Sequence, residues 1–481
     1  MTETRNLHVP TELGTKPIGK LLWQYALPSI IAMMASSLYN IVDSIFVGQG
    51  VGDIAISGMG VASPLMNLSA ALGAMVGVGA STVISVRLGQ GKYETAQHIL
   101  GNVVTLNLIL GIFFTFACWP FIDQILRLFG ASDATLPYAR DYMLIILWGN
   151  VISHSYFGLN AVLRSAGHPK AAMNCTFLTI GANTILDPLF IFGFGWGIRG
   201  AAIATILSQA ISLVVQLRLF SRKDELLHFR RGIYKLDFSI VRQTIAIGLS
   251  PFVMNSCACL VVLFMNNAFL AYGGDMAIGA HSIVHRVIFL FVMIVVGFNQ
   301  GMQPIAGYNW GAQQNNRVWC VLRYTIAAAT AVTTTGFIAG EFFPEYIIRA
   351  FGAGPELTKI AVRGFRITVA FFPFVGAQMV IGNFFQSIGH AGKSIFQSMT
   401  RQLLFLLPGV LILPRFWELD GVWFAIPLSD CTAFFVSIGM LWWTVRHIRK
   451  QKQSNEQREQ SESTLTLCRV AREKERGEAQ A

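Results

Sequence analysis

The sequence predicts an all-α membrane protein, with twelve transmembrane helices arranged as two pseudo-symmetric six-helix bundles. Three observations support this fold class: an apolar composition, apolar runs that recur along the whole chain, and a second half that repeats the first. Of the 481 residues, 53% are hydrophobic and 13% are charged, and the mean hydropathy is +0.54. A chain this apolar is not a soluble globular protein, and a single short anchor does not explain runs at both ends.

Twelve hydrophobic stretches define the predicted helices, and each is close to the roughly 20 residues that span a bilayer. They lie at residues 21–47, 57–86, 99–121, 141–163, 171–193, 200–220, 243–272, 277–305, 320–343, 365–387, 395–414 and 421–445. The segment before Leu21 is polar and has no cleavable signal-peptide pattern. We therefore expect the first helix to act as its own insertion signal.

Basic residues lie mainly in alternate loops. The N-terminal tail and the loops that contain Lys92, Lys170, Arg222, Arg317 and Lys393 hold most of the Lys and Arg residues between the spans. This bias predicts that both termini are cytoplasmic. It also accounts for the formal net charge of +11, so we expect a lipid bilayer as partner and no nucleic acid.

The second half of the chain repeats the first at a constant spacing, so that adding 222 to a position often gives its counterpart. Gly89 in RLGQGKYE matches Gly311 in YNWGAQQN, and Gly52 matches Gly274. ILRLFGA matches IIRAFGA, and SAGH matches SIGH, at the same spacing. Because six is an even number, the two halves have the same orientation and are related by an axis along the membrane normal.

The repeat divides the chain into five parts. A cytoplasmic N-terminal tail covers residues 1–20, and helices 1–6 form an N-lobe at 21–220. A basic cytoplasmic linker at 221–242 leads to a C-lobe of helices 7–12 at 243–446. The last part, 447–481, is polar and charged, and we predict that it is disordered and cytoplasmic.

An aspartate in helix 5 is the strongest candidate for chemistry, since a carboxylate at the bilayer centre costs roughly 2.5–3.5 kcal/mol. Asp187 lies in NTILDPLFIFG, with Asn183 on the same helical face and Pro188 freeing carbonyls one turn back. Thr205 and Gln209, on one face of helix 6, can complete a cluster for a hard cation or a transferable proton. An alternative is that such aspartates are only ion-paired or cap helix ends.

Helix 1 carries a second candidate group. Ser36, Tyr39, Asn40 and Asp43 recur at three and four residues and form one polar stripe. An aromatic ring beside an acid in a cavity can bind an organic cation. The alternative is a solvated stripe that only lines a cleft.

Helix 4 adds Tyr156 and Asn160 on one face, with His154 nearby. A lone histidine in such a helix is more often a hydrogen-bonded packing residue. We therefore include Tyr156 among the candidate cleft residues and leave His154 out.

In helix 8, His281 and His285 are too few ligands for zinc, with no carboxylate nearby. Arg286 either lines a cavity, pairs with a carboxylate, or extends to the outer interface.

The repeat provides an internal control for the polar residues of the N-lobe. Their counterparts in the second half are apolar or glycine: Asp43 aligns with Met265, Asp187 with Gly409, Asn183 with Phe405, and Thr205 with Ile426 or Pro427. The fold therefore does not require these polar groups, and their chemistry belongs to one lobe.

No catalytic or nucleotide-binding motif was found. The sequence has no GxxxxGK[ST] phosphate loop, no HExxH motif and no supporting Ser/His/Asp spacing. We therefore predict that the protein is not an enzyme, has no cofactor, and takes its energy from an ion gradient.

Five segments resemble the multidrug and toxic compound extrusion (MATE) family of the flippase superfamily, over about residues 15–446. They are ALPSII, YNIVDSIFVG, RLGQGKYETA, LNAVLRSAGHPKAAM and NTILDPLFIFGFGWGIRGAAIAT. The last is the most specific, and it is similar to the bacterial and archaeal DinF-like branch. The NorM-like branch has acidic residues in helices 7 and 10, which this sequence lacks there.

The resemblance implies roles for individual residues. Asp43 and Asp187 would be the coupling carboxylates, and Asn183, Thr205 and Asn160 their polar partners. Tyr39 would line the cleft, and Pro28 would be the hinge of helix 1. A Na⁺ site, if present, would comprise Asp43, Asn183, Asp187 and Thr205, whereas burial favours a neutral acid and so a proton. The sequence leaves H⁺ and Na⁺ both open as the coupling ion.

The function implied is secondary active export of amphipathic, often cationic, organic compounds in exchange for H⁺ or Na⁺. We expect a monomer in a bacterial or archaeal cytoplasmic (inner) membrane. The candidate substrate cleft comprises Tyr39, Asn40, Ser36, Tyr156, Gln209 and Arg286. The alternative is a flippase for lipids or lipid-linked saccharides, which would need a wide basic groove.

Overall fold

A computed structural model of the protein describes residues 11–352 and 354–478. The side chains of Asn40, Ile41, Asp53 and residues 448–478 lie outside the described part, so the prediction for Asn40 falls outside it as well. The chain divides into two compact units, with the boundary between Phe434 and Phe435.

Helices account for nearly all of the described chain. The first nine are α1 Glu12–Thr15, α2 Ile18–Val51, α3 Asp53–Gly89, α4 Tyr93–Cys118, α5 Ile122–Leu128, α6 Leu136–Trp148, α7 Asn150–Ser165, α8 Pro169–Pro188 and α9 Gly197–Phe220. The others are α10 Phe238–Gly311, α11 Asn315–Phe342, α12 Pro344–Arg349, α13 Pro355–Val369, α14 Phe372–Ser387, α15 Ala391–Met399, α16 Leu407–Ile412 and α17 Pro414–Glu478. A 3₁₀ turn, Trp119–Phe121, and two π-helical segments, Leu189–Gly193 and Thr400–Leu406, connect helices within spans.

The twelve predicted spans can be traced in these helices. Among the described residues, eight helices are long and apolar enough to cross a membrane, or nine if α13 and α14, bent by 52°, form one span. The 74-residue α10 holds two predicted spans, since Gly274 adopts a left-handed φ of 66° between them. The remaining predicted spans correspond to α6 with α7, and to α11.

The end of the chain differs from the prediction of a disordered tail at 447–481. The backbone of α17 is helical to Glu478, with a break at Trp417 and Glu418. Residues 448–476 contain no Pro or Gly and are rich in Gln, Glu, Lys and Arg. These straight-chain residues have high helix propensity, so a polar composition does not prevent a helix here.

The basic linker packs on the N-lobe. Leu226, Leu227 and Ile233 are buried, and the first two belong to an apolar core built mainly by α3, α4 and α7. The Asn102 amide of α4 donates to the carbonyl oxygen of Lys235 over 3.1 Å. The linker is therefore a folded part of the N-lobe surface.

The two lobes approach closely where α3 and α10 cross. A Cβ atom added at Gly79 would lie 1.9 Å from the carbonyl oxygen of Thr244, and one at Gly248 would lie 1.9 Å from that of Met75. Only glycine permits such backbone contact. We call these contacts the glycine crossing.

Candidate functional site

A cavity of about 330 Å³ lies inside the N-lobe. Its lining comes from α2, α3, α6, α7, α8 and α9: Ser36, Tyr39, Asp43, Met66, Asn67, Ser69, Ala70, Tyr142, Ile146, Asn150, Ser153, Tyr156, Phe157, Thr176, Thr179, Ile180, Thr205 and Gln209. The lining includes six predicted residues: Ser36, Tyr39, Asp43, Tyr156, Thr205 and Gln209. Its polar groups are hydroxyls, amides and a carboxyl, with no Lys or Arg among the residues named above.

The two aspartates predicted from different helices meet at this cavity. Asp43 of α2 is 8% exposed and Asp187 of α8 is fully buried, and their carboxyl groups lie beside each other. Asn183 donates from Nδ2 to Asp187 Oδ1 over 2.9 Å, which is the contact expected for residues four apart on a helix. We call Asp43 and Asp187 the acid pair.

Three oxygen atoms around the acid pair are buried without a hydrogen-bond partner. They are Asp43 Oδ1, Asp187 Oδ2 and Asn183 Oδ1. Buried acceptors are normally hydrogen-bonded, and each one left unsatisfied costs about 1–3 kcal/mol. This unused acceptor capacity can be met by a proton on one carboxyl or by a cation between the two.

The backbone around Asp187 explains why the side chain sits at a helix junction. Pro188 ends the α-helical part of α8, and a π-helical segment, Leu189–Gly193, follows directly. Proline lacks an N–H donor, so the preceding turn loses a hydrogen bond. Single π-turns of this kind are frequent at functional sites.

Tyrosine residues surround the acid pair. The phenol groups of Tyr39 and Tyr142 lie beside Thr205, and Tyr39 is also close to both carboxyl groups. The Thr205 hydroxyl donates to the carbonyl oxygen of Ala201 over 3.0 Å, leaving its oxygen free to accept. Thr205 is therefore within the group of polar side chains predicted from helices 5 and 6.

A hydrogen-bond network forms another wall of the cavity. The Ser69 hydroxyl donates to Asn150 Oδ1 over 2.7 Å and lies 3.2 Å from His154 Nε2. The Ser153 hydroxyl donates to Gln209 Oε1 over 2.5 Å. His154 is fully buried in this network, so its position matches the prediction of a hydrogen-bonded packing residue.

Asn160 is not among the residues that line the cavity, although the resemblance implied a contact with the acid pair. Its Nδ2 donates to the carbonyl oxygen of Ala172 over 3.1 Å, and its Oδ1 accepts from Arg164 over 2.6 Å. Both ends of the amide are therefore occupied by partners other than the acid pair.

Other predicted residues also lie apart from the cavity. Arg286 is exposed and is not part of the lining, and His281 stacks on Phe269 at 4.5 Å between ring centroids. Pro28 is buried inside α2, which is helical throughout Ile18–Val51. In the described part of the chain, no group of three or more His, Cys, Asp or Glu residues could hold a metal ion.

Sequence reasoning missed several lining residues, among them Tyr142, Asn150, Ser153 and Ser69. Asn150 and Ser153 lie on the same face of α7 as Tyr156, at spacings of three and six residues. The spacing rule that identified the stripe in helix 1 would have found them. Tyr142 and Ser69 belong to helices with no such polar stripe, and only the tertiary fold brings them to the cavity.

Comparison with known proteins identifies the fold. A model of the MatE family matches the chain twice, once in each lobe, at residues 28–189 and 251–411. The chain is 25% identical over 429 residues to the multidrug export protein MepA of Staphylococcus haemolyticus, covering 88% of this chain and 93% of that protein.

Solved structures agree with this match. The MATE multidrug transporter DinF-BH, solved in complex with rhodamine 6G, is 34% identical, with a TM-score of 0.83 over 89% of this chain and 96% of that one. A MATE structure in the bent conformation is 25% identical, with a TM-score of 0.86 over 92% and 98%. These relatives are transporters, so the prediction that the protein is not an enzyme is confirmed. The all-α fold with a twelve-helix plan is confirmed as well, and the chain belongs to the MatE family of multidrug efflux transporters.

Proposed function

We propose that the protein is a secondary active antiporter that exports amphipathic, often cationic, organic compounds in exchange for H⁺ or Na⁺, coupled through the acid pair. The observation that carries this proposal is the side-by-side burial of Asp43 and Asp187 at a cavity inside one lobe. Family membership supports the class of transport, and the acid pair supports the coupling.

The acid pair has the chemistry that coupling requires. Two negative charges side by side in a site shielded from water repel each other and lose hydration. The pair is therefore stabilised by one positive charge, which can be a proton, a sodium ion or an organic cation. Ligands that compete for the same charge cannot bind together, and such competition is the basis of exchange.

The remaining lining suits an aromatic organic cation. Tyr39 and Tyr142 lie beside the acid pair, and Tyr156 and Phe157 line the cavity farther away. Cations bind over such aromatic rings. The volume of about 330 Å³ is at the lower end of typical small-molecule sites. DinF-BH, at 34% identity, was solved with rhodamine 6G bound, which supports a similar class of substrate here.

The proposed cycle follows from linkage. A cation that enters the N-lobe displaces the substrate, and it favours whichever conformation binds it more tightly. The substrate leaves outward, and the loaded carrier turns inward. Pro28, in α2 together with Asp43, is the proposed hinge through which occupancy of the acid pair alters the shape of that helix.

Both H⁺ and Na⁺ are compatible with the acid pair. One proton shared between the carboxyl groups removes half of the negative charge. Sodium would use the free oxygens of Asp43, Asp187 and Asn183, with the Thr205 oxygen as a further ligand. Gradients imposed one at a time across liposomes distinguish the two ions.

We place the antiporter in a bacterial or archaeal cytoplasmic membrane, as a monomer with both termini cytoplasmic. The basic linker and the basic alternate loops support this orientation. A flippase for lipid-linked saccharides gains no support from the cavity, whose lining has no Lys or Arg to bind a pyrophosphate.

The first test is Asp187→Asn in purified protein reconstituted into liposomes. We expect the rate of rhodamine export driven by a pH or Na⁺ gradient to fall at least tenfold, because the pair loses one of its two charges. Asp133→Asn is the matched control, since the Asp133 side chain is 90% exposed in the same lobe. Gradient-driven export that survives in a well-expressed Asp187→Asn protein would disprove coupling through the acid pair.

A further inference from the structure

A second charged group lies near the cavity, apart from the acid pair. Arg164 is near the end of α7, partly buried, and its Nη1 donates to Asn160 Oδ1 over 2.6 Å. Asn160 is itself fixed by the bond from its Nδ2 to the carbonyl oxygen of Ala172. Among the described residues, no carboxylate lies within 4 Å of this guanidinium.

Arg164 and the acid pair lie in different parts of the N-lobe. The guanidinium is close to Tyr156, whose hydroxyl faces Thr176 and Thr179 of α8. Asp187 is eight residues beyond Thr179 on the same helix, a rise of about 12 Å.

Arg164 lies on the side that the basic loops predict to be cytoplasmic. Helix α7 ends at Ser165, and the loop that follows leads to Lys170. Tyr156, Asn160 and Arg164 follow each other at four-residue spacings on α7, and the guanidinium reaches Asn160. The guanidinium therefore lies about one helical turn beyond the cavity wall formed by Tyr156, toward the cytoplasmic side.

The C-lobe shows that the fold does not require this arginine. In the repeat, Arg164 aligns with Gln386, which is buried and neutral, with an unpartnered Nε2. Asn160 and Tyr156 correspond to Gly382 and Gln378. The arginine and the asparagine that fixes it thus occur in the lobe that has the acid pair, and are replaced in the other.

We infer that Arg164 is an electrostatic barrier at the cytoplasmic end of the N-lobe cavity, which keeps the coupling cation from leaking past the acid pair. A fixed positive charge in a narrow polar passage repels protons and metal cations, as in pores that exclude ions by an arginine. This inference rests on the proposed coupling function. It assigns Arg164 a role in preventing uncoupled cation leak rather than in binding the substrate or the coupling ion.

The test measures leak without any substrate. Wild-type protein and Arg164→Gln are reconstituted into liposomes that contain a pH-sensitive or Na⁺-sensitive dye, with the membrane potential clamped by potassium and valinomycin. Arg164→Gln copies the residue that the C-lobe has at this place. We expect its cation leak to exceed that of the wild type at least fivefold, and Arg164→Lys to restore a low leak because it keeps the charge.

Two controls identify the route of the leak. Gln386→Ala, in the C-lobe, is expected to leak no more than the wild type. The double variant Arg164→Gln/Asp187→Asn is expected to lose most of the added leak, because the cation no longer finds the acid pair on its way. A leak unchanged by the second substitution would mean that Arg164→Gln only loosens the protein, and the inference would be wrong.

A folded Arg164→Gln protein that leaks no more than the wild type overturns the inference directly. If that variant yields no folded protein, Arg164→Met takes its place, since it removes the charge and keeps an unbranched side chain in the helix. A raised leak supports the barrier, and an unchanged leak contradicts it. These results are separate from the test of coupling, which measures driven export in Asp187→Asn.

Discussion

The N-lobe and the C-lobe have the same sequence of helices but treat acidic residues differently. In the N-lobe, Asp43 and Asp187 lie beside each other, with free oxygens at a cavity. In the C-lobe, Asp430 is buried and its Oδ1 accepts from Arg401 Nε over 2.6 Å. The N-lobe therefore keeps hydrogen-bond acceptors without partners. In the C-lobe, the positive charge of Arg401 compensates the negative charge of Asp430.

The internal repeat allows the two acidic regions to be compared position by position. Arg401 and Asp430 align with Thr179 and Ser208 of the first half, and Thr179 lines the N-lobe cavity. The C-lobe thus has a salt bridge in the region where the N-lobe has a polar cavity wall. The two lobes share their helices, whereas their buried charged residues differ in both identity and partners.

The largest predicted effect concerns a close glycine contact that both lobes have. Gly79→Val would put side-chain carbon into the carbonyl of Thr244, and Gly301→Val, its counterpart, would meet the backbone of Ala26 at 2.6 Å. We expect both variants to lose most of their monodisperse protein in size-exclusion chromatography, since overpacking costs about 1–3 kcal/mol or more.

Gly60→Val is the matched control for these two changes, because an added Cβ there meets no atom within 4 Å. If Gly79→Val were tolerated and Gly301→Val were not, or the reverse, close glycine contacts between the lobes would not be a common part of the scaffold.

An intermediate effect tests the salt bridge of the C-lobe. Asp430→Asn leaves the Arg401 guanidinium without its carboxylate; because Arg401 is 33% exposed, we expect a loss of roughly 1–3 kcal/mol rather than the full cost of a buried unpaired charge. Thermal melting in detergent should show the loss, while driven export per folded molecule stays near that of the wild type.

The opposite pattern, normal stability with lost export, would mean that the C-lobe takes part in coupling. The double variant Asp430→Asn/Arg401→Gln separates charge from packing, and it should recover part of the lost stability.

The smallest predicted effect is a failure to gain function. Met265→Asp places an acid at the position that corresponds to Asp43, in a buried site with 4% exposure. We expect no additional cation per transport cycle, because Gly409 and Phe405 replace Asp187 and Asn183 as neighbours. A second coupled cation, measured as an increased ion-to-substrate ratio, would show that one acid is enough to make a site.

Much of the fold was predictable because two signals are long and redundant. Apolar runs define the spans, and the constant spacing of the repeat gives two homologous lobes, a division that the twofold family match supports. The helix beyond 447 was not predicted, because a polar and charged composition is shared by disordered segments and by exposed helices. The packing of the linker through Leu226 and Leu227 was also missed, since two apolar residues in a basic segment resemble an ordinary loop.

The candidate site was predictable only where polar residues interrupt apolar helices at helical spacing. That pattern identified Asp43 and Asp187, although not that their carboxyl groups lie beside each other, which depends on how α2 and α8 pack. The hydrogen-bond partners of Asn160 could not be predicted, for the same reason. An amide four residues before an arginine has the right spacing for a bond, but spacing alone cannot tell whether the amide turns to the arginine or to the acids.

The glycine crossing has a mechanical consequence. At these contacts α3 and α10 touch through backbone atoms. Side-chain hydrogen bonds from Gln303 and Arg87 join the same two helices nearby. The crossing would act as a fulcrum for any rocking of one lobe against the other. The start of α3 at Asp53 lies 26 residues from Gly79, about 39 Å along the helix. A rocking motion of about 10° at the fulcrum would move that end by roughly 7 Å, enough to admit or shut out a small organic molecule.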